Sequence, residues 1–293
     1  MMEPDALATV LLIYVIGVGA CIGSFLNVVI ARLPEGQSVV RPGSKCPQCD
    51  SSIAWYDNIP VLSYLILMAK CRGCRAPISF RYPLIETLTA ALFGALWVRF
   101  GLSWEFFLWM PLTTAFVAIT FIDIDHWIIP DVIVFPMMIW VGVAVCLPTF
   151  ITPDFALLGL LPAGLIFLVG WSFEKITGKE GLGFGDVKLL ALIGLAVGPL
   201  VALNVLLLSS FQGAIIGILL RIFTPGHEAQ KEKEDSEAQD TEESKFDDDW
   251  VPPAHAIPFG PFLVLATLQC VLLPHIFGNV AEDISQLLMG GLG

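Results

Sequence analysis

Charge is scarce in this chain. Of its 293 residues 14% are Asp, Glu, Lys or Arg and 56% are hydrophobic, with a mean hydropathy of +0.79. A soluble domain of this size needs far more charge on its surface, so the composition indicates a membrane protein. Histidine is rarer still: the four at 126, 227, 255 and 275 have no zinc-hydrolase spacing. Serine offers no substitute, because "GSF" at 23–25 and Ser209-Ser210 lack a plausible base partner. No glycine-rich Rossmann fingerprint occurs, no internal repeat stands out, and nothing in the charge pattern invites nucleic acid.

What is abundant is apolar sequence. Runs without charge cover 6–31, 106–122, 132–152, 155–173, 189–220 and 257–277, with a shorter one at 87–98. Most can cross the roughly 30 Å hydrocarbon core of a bilayer. The first run has no basic flank and no small-residue cleavage site before a soluble domain, so it is expected to be a retained span. The run 189–220 would make a helix of about 48 Å, but Gly198-Pro199 interrupts it. Lys188 and Arg221 flank it on both ends, and basic residues favour the cytoplasmic side. Both ends can be cytoplasmic only if the run crosses twice, its first arm being short. The expectation is therefore an all-α polytopic protein of about eight transmembrane helices, its N-terminus outside. That topology puts 14 of the 15 Lys and Arg residues inside, Arg99 being the exception.

Polar segments divide the chain further. After the first helix, 1–31, residues 32–83 form a small basic cytoplasmic module; 84–225 form a membrane core; 226–256 are an acidic loop; 257–293 hold the last span and tail. Within the loop, residues 226–250 carry eleven acids and three lysines. Such self-repelling sequence cannot build a core, so disorder is expected. Its acidity also supplies most of the net charge of −12.

Four of the seven cysteines form two Cys-x-x-Cys pairs, Cys46 with Cys49 and Cys71 with Cys74, with 21 residues between the pairs. Each turn aims two sulfurs at one point, and two such turns complete a tetrahedral Zn²⁺ site with metal–sulfur distances of about 2.3 Å. In a reducing compartment disulfides are the weaker alternative. A closed four-thiolate site has no open position for substrate, so one structural zinc is expected, folding a zinc-ribbon-like module too poor in apolar mass to fold alone. Cys21, Cys146 and Cys270 lie singly in apolar runs and read as packing.

Two stretches place carboxylates where membrane helices end or begin. In "FIDIDHWIIPDVIVFP", 121–136, a span ends in Asp123, Asp125 and His126, and the next starts after Pro130-Asp131. Ionisable groups at this depth cost about 2.5 to 3.5 kcal/mol each by insertion scales. Asp131, following a proline at a helix start, reads as capping and dipole stabilisation. Asp123 and Asp125 are two apart and so face different ways on a helix. In "GLGFGDVKLLA", 181–191, glycines precede Asp186 and allow close backbone approach; an ordinary loop with a helix-capping aspartate is the simpler alternative. In the eight-span topology, however, Asp123 ends an inward span and Asp186 begins an outward one, at the same shallow depth. Two neighbouring carboxylates share a proton, one polarising water as base while the other donates to a carbonyl oxygen, which is aspartyl protease chemistry.

Beyond these two stretches, "GSFLNVVIARLP" at 23–34, "DNIPVLSYL" at 57–65, "RYPLIE" at 81–86 and "IPFGPFL" at 257–263 complete a series. In this order the motifs resemble the type IV prepilin leader peptidases, membrane aspartyl proteases of the GxGD class. "LMAKC" at 67–71 departs from the more basic, glycine-containing family version. The resemblance implies Asp123, rather than Asp125, and Asp186 as the catalytic pair. It further implies cleavage after the glycine that ends the basic leader of prepilins and type II secretion pseudopilins, in the bacterial inner membrane with the site near the cytoplasmic face. S-adenosylmethionine-dependent methylation of the new N-terminus is implied to follow. Lys188 is a candidate to tune Asp186 or a plain topology signal, and Asn27, Asn58 and Arg81 read as structural more readily than as lining for a polar entrance. A proton-coupled transporter with a regulatory zinc module is the competing class, and an assembly factor that binds pilins without cutting them is a third.

Overall fold

The computed structural model describes residues 4–146, 152–178, 183–223 and 257–277. Among them there are helices and no strands. The expected acidic loop lies outside the described residues, as does the tail after 277.

Helix α1 spans Pro4–Arg32 and is followed by the cysteine module, which contains a short 3₁₀ turn, Trp55–Asn58, and a short helix α2, Leu62–Ile66. Then come α3 (Arg81–Phe100), α4 (Trp104–His126), α5 (Asp131–Val145), α6 (Pro153–Leu158), α7 (Leu161–Thr177), α8 (Phe184–Val197), α9 (Pro199–Phe223), α10 (Gly260–Leu272) and α11 (Pro274–Phe277). Five segments are long and apolar enough to cross a membrane: Ala6–Arg32, Arg81–Phe100, Trp104–His126, Pro153–Thr177 and Pro199–Phe223. Helices α5 and α10 are apolar but shorter, and α8 has 14 residues. The chain is thus a multi-pass membrane protein with five full-length candidate spans among the described residues, where the sequence predicts eight.

Helix α4 is the axis of the bundle, with α1, α3, α5 and α10 packed around it. Phe93, Leu112, Phe116, Ile119, Leu192 and Leu263 are fully or almost fully buried in the core cluster it shares with them. Ser103 starts α4, its hydroxyl accepting from the Phe106 amide at 3.4 Å. Trp127 stops it in a left-handed conformation, its N–H bonded to the Asp123 carbonyl at 3.0 Å, and Pro130 then bars continuation.

Close helix crossings depend on glycine. A Cβ at Gly23 would lie 2.7 Å from the Glu86 Cα, and one at Gly19 would lie 2.9 Å from the Ala90 Cα, so the small-residue spacing "GACIG" sets how closely α1 meets α3. The expected interruption of 189–220 is present: α8 ends at Val197, Gly198 takes φ +80°, and α9 starts at Pro199. The three single cysteines divide. Cys270 is buried in the core as packing predicts, whereas Cys21 on α1 and Cys146, just past the end of α5, are exposed.

Candidate active site and cysteine centre

The two cysteine pairs are built alike. Cys46 N–H donates to Ser51 O and Asp50 N–H to Cys46 O, at 3.0 and 2.9 Å; Cys71 N–H donates to Ala76 O and Arg75 N–H to Cys71 O, at 2.8 and 3.0 Å. Bridges Lys45–Ser52 and Lys70–Pro77 close the two turns, and Asp50 and Arg75 both take positive φ. The sequence signal for this is an internal repeat, "KCPQCDSSI" at 45–53 and "KCRGCRAPI" at 70–78; the expectation of no repeat is corrected on this local scale. The four Sγ atoms all lie within 4.8 Å of one another.

The crowded sulfurs perturb each other. The backbone amides of Cys74 and Gly73 hold the Cys71 thiol down to about 6, and the Ser51 side chain lowers that of Cys49. For Cys74 the Ala76 amide pulls downward, but burial and the sulfurs of Cys49, Cys71 and Cys46 outweigh it and push the thiol up to about 11. Four mutually close sulfurs of which some favour the thiolate fit a divalent, thiophilic cation held by Cys46, Cys49, Cys71 and Cys74.

Other contacts seat the module on the membrane helices. Arg72 donates to both carboxylate oxygens of Asp57, at 2.7 and 2.6 Å, and so clamps the linker to the second cysteine turn. These hydrogen bonds hold Asp57 below the usual carboxylate range. Glu86, buried in α3, accepts the Val61 N–H at 2.7 Å. Asn27 bonds the carbonyls of Gly23 and Tyr82 at 3.2 and 3.3 Å, which gives it a structural role.

At the same end of the bundle, α4 delivers Asp123 into the interior at 5% exposure. Its Oδ2 accepts the Gly260 N–H at 3.1 Å. Asp125 instead points outward and pairs with Arg81, whose guanidinium also lies 5.3 Å from the Phe121 ring centroid. Asp186 sits half-buried in the first turn of α8. The glycines around it are in close quarters: a Cβ at Gly183 would be 3.2 Å from Asp186 Oδ2, and one at Gly185 would be 3.1 Å from Ile129 Cβ. Lys188 pairs with Asp131 rather than with Asp186. The capping half of the Asp131 expectation is corrected, since the cap of α5 is Pro130 and Asp131 is the first helical residue; its place in the first turn fits the dipole half.

A cleft of about 480 Å³ opens between α1 and the module, lined by Cys21, Phe25, Arg32, Asn58 and neighbours. Arg32, the one cation among its lining residues, is taken up by the carbonyls of Ser38, Pro42 and Gly43. No carboxylate is among its lining residues.

Residues 18–100 match the family described as Bacterial Peptidase A24 N-terminal domain, and residues 110–218 match the Type IV leader peptidase family. A protein of Myxococcus xanthus named "Prepilin leader peptidase/N-methyltransferase" is 37% identical, the match covering 96% of this chain and 95% of the relative. The chain belongs to the type IV leader peptidase family. Relatives with the same printed name occur in Pseudomonas aeruginosa, 39% identical over 69% of this chain and 78% of theirs, and in Aeromonas hydrophila, 37% identical over 84% of each. No solved structure matches the chain. Family membership leaves the transporter alternative without support.

Proposed function

We propose that this chain is a membrane-embedded aspartyl endopeptidase that removes the short basic leader from type IV prepilins and type II secretion pseudopilins, and then methylates the new N-terminus. The cleavage and methylation follow the printed name of its full-length relatives. The observation that supports the mechanism is the convergence of two helix ends on one isoleucine: Asp123 closes α4 and Asp186 opens α8, and Ile129 lies against both Gly185, the neighbour of Asp186, and Gly260, whose amide holds Asp123.

The chemistry runs on one shared proton. Two carboxylates a few ångströms apart do not both ionise cheaply, so one acts as base toward a water while its protonated partner donates to the scissile carbonyl oxygen. Water attacks the carbonyl carbon, and the amine leaves with a proton returned from the pair. Burial of Asp123 supports this role over Asp125, which is committed to Arg81. The bond to be cut lies where the substrate's single apolar helix meets its basic leader, which matches the end of α4 where the core gives way to charged side chains. The basic-residue distribution supports placing that end at the cytoplasmic face of the bacterial inner membrane.

Cys46, Cys49, Cys71 and Cys74 would hold one zinc ion, which would supply a folding role by tying the two turns into one unit. S-adenosylmethionine would supply the methyl group for the newly freed amine, which would give up a proton as S-adenosylhomocysteine leaves.

Incubation of the purified protein with a prepilin in detergent tests the proposal. Wild type removes the leader, and Asp123→Ala and Asp186→Ala leave it attached; cleavage indifferent to both changes refutes the assignment. Mass spectrometry of processed pilin N-termini reads the second step, an unmodified amine in the presence of S-adenosylmethionine refuting it. One zinc per chain, lost on Cys46→Ser or Cys71→Ser, is the expected metal analysis, and wild-type protein without zinc overturns that part.

A further inference from the structure

The first turn of any helix leaves amides without intrahelical acceptors. In α10 the amides of Phe262 and Leu263 both turn back to the Phe259 carbonyl, at 3.0 and 3.2 Å, and Pro261 has no N–H to place. The remaining amide, that of Gly260, reaches across 137 positions of sequence to the Asp123 carboxylate, 3.1 Å from Oδ2.

That approach needs a residue without a side chain. A Cβ at position 260 would stand 2.5 Å from Asp123 Oδ2, 3.3 Å from its Cγ and 3.3 Å from Ile129 Cδ1. Gly260 is not in the left-handed region, so its backbone conformation alone does not call for glycine; the nearness of the carboxylate does. The same Ile129 also faces Gly185, the neighbour of Asp186. One isoleucine thus lies against the glycine beside each aspartate, and a Cβ at position 260 would have to displace the Asp123 carboxylate from its present place.

We propose that Gly260 is a positioning residue for peptide cleavage: its main-chain N–H fixes one oxygen of Asp123 and leaves the other free for the shared proton and the attacking water. This rests on Asp123 being a member of the catalytic pair. The bare amide supplies a fixed donor that a flexible side chain could not, and the oriented start of α10 adds its partial positive charge at the same oxygen. The "IPFGPFL" motif therefore takes part in the site through its backbone.

The test compares Gly260→Ala with wild type, Asp123→Asn and Gly213→Ala, using a purified prepilin and detergent-solubilised full-length protein. Gly213 faces the same helix, but a Cβ there meets the Phe262 ring at 3.7 Å, an ordinary contact, so Gly213→Ala cleaves as wild type does. In Gly260→Ala the kcat falls on the order of 100-fold with KM unchanged, as expected for a misplaced reacting group. A kcat within about twofold of wild type, or a loss expressed only in KM, overturns the proposal. Hydrogen exchange of the 257–263 peptide reads the contact without any change at Gly260: Asp123→Leu speeds exchange of one amide there, and an unchanged rate overturns the proposal even if Gly260→Ala does not fold. Wild-type cleavage by Asp123→Asn strikes the underlying catalytic assignment instead, which the exchange measurement does not depend on.

Discussion

Gly23 gives a prediction whose sign depends on packing rather than composition. It lies on the face of α1 that crosses α3, and an added Cβ would sit 2.7 Å from Glu86 Cα, 3.0 Å from the Ile85 carbonyl oxygen and 3.1 Å from Thr89 Oγ1. The first two neighbours are backbone, so no rotamer change relieves the overlap. Bringing the closest contact to 3.4 Å requires the helices to part by about 0.7 Å. Overpacking of this kind costs about 1 to 3 kcal/mol, against a gain in helix propensity of about 1 kcal/mol for Gly→Ala. At Gly17, six residues earlier on the same helix, nothing lies within 4 Å, so the propensity gain stands alone. Gly17→Ala is therefore neutral or stabilising, and Gly23→Ala falls below it by about 1 to 3 kcal/mol. Denaturant unfolding in mixed micelles, followed by tryptophan fluorescence, measures the difference. Because Glu86 also holds the Val61 amide, Gly23→Ala should release zinc to a chelator faster as well. Equal stabilities for the two variants would refute the crossing geometry.

Three further outcomes are expected. Asp131→Lys and Lys188→Asp each lower leader cleavage, since their ion pair joins the N-terminal ends of α5 and α8, and the double reversal restores part of it; a double variant no better than either single shows that the pair does not support cleavage. Asp125→Asn keeps cleavage within about tenfold of wild type while Asp123→Asn loses at least about 100-fold; equal losses in kcat would mean that Asp125 belongs to the chemistry. Ala69, held at φ +57°, costs about 1 kcal/mol in a left-handed conformation, so Ala69→Gly stabilises the cysteine module by about that amount. A lowered melting transition for zinc-loaded Ala69→Gly would count against it.

The "LMAKC" stretch has a physical cost: Met68 and Ala69 both occupy positive φ, a conformation that glycine adopts without strain. Other local signals were equally direct. The two Cys-x-x-Cys pairs state their own ligand geometry, because two cysteines three apart must share a turn. Gly198-Pro199 marks its helix break, because a proline cannot continue the ladder. The pattern at "IDID" separates Asp123 from Asp125 by helical phase alone. The number of spans was not legible in the same way, since α5, α8 and α10 are apolar but shorter than a full crossing.

Partners across the chain were not legible. Sequence placed Lys188 next to Asp186, yet the side chain reaches Asp131 on another helix. It presented Arg81 and Glu86 as members of one motif, but Arg81 meets Asp125 while Glu86 meets Val61. Gly260 carried no local reason to be glycine at all.

By itself, the sequence determined that the chain is membrane-embedded and helical, which cysteines can hold a metal, and which aspartates stand at helix ends, because hydropathy, ligand spacing and helical phase are properties of neighbouring residues. Which carboxylate is held by which amide, and which cation neutralises which acid, was decided only by the tertiary structure. Those pairings depend on how helices remote in sequence rotate and approach, and that is set by the few glycines at which their backbones can touch.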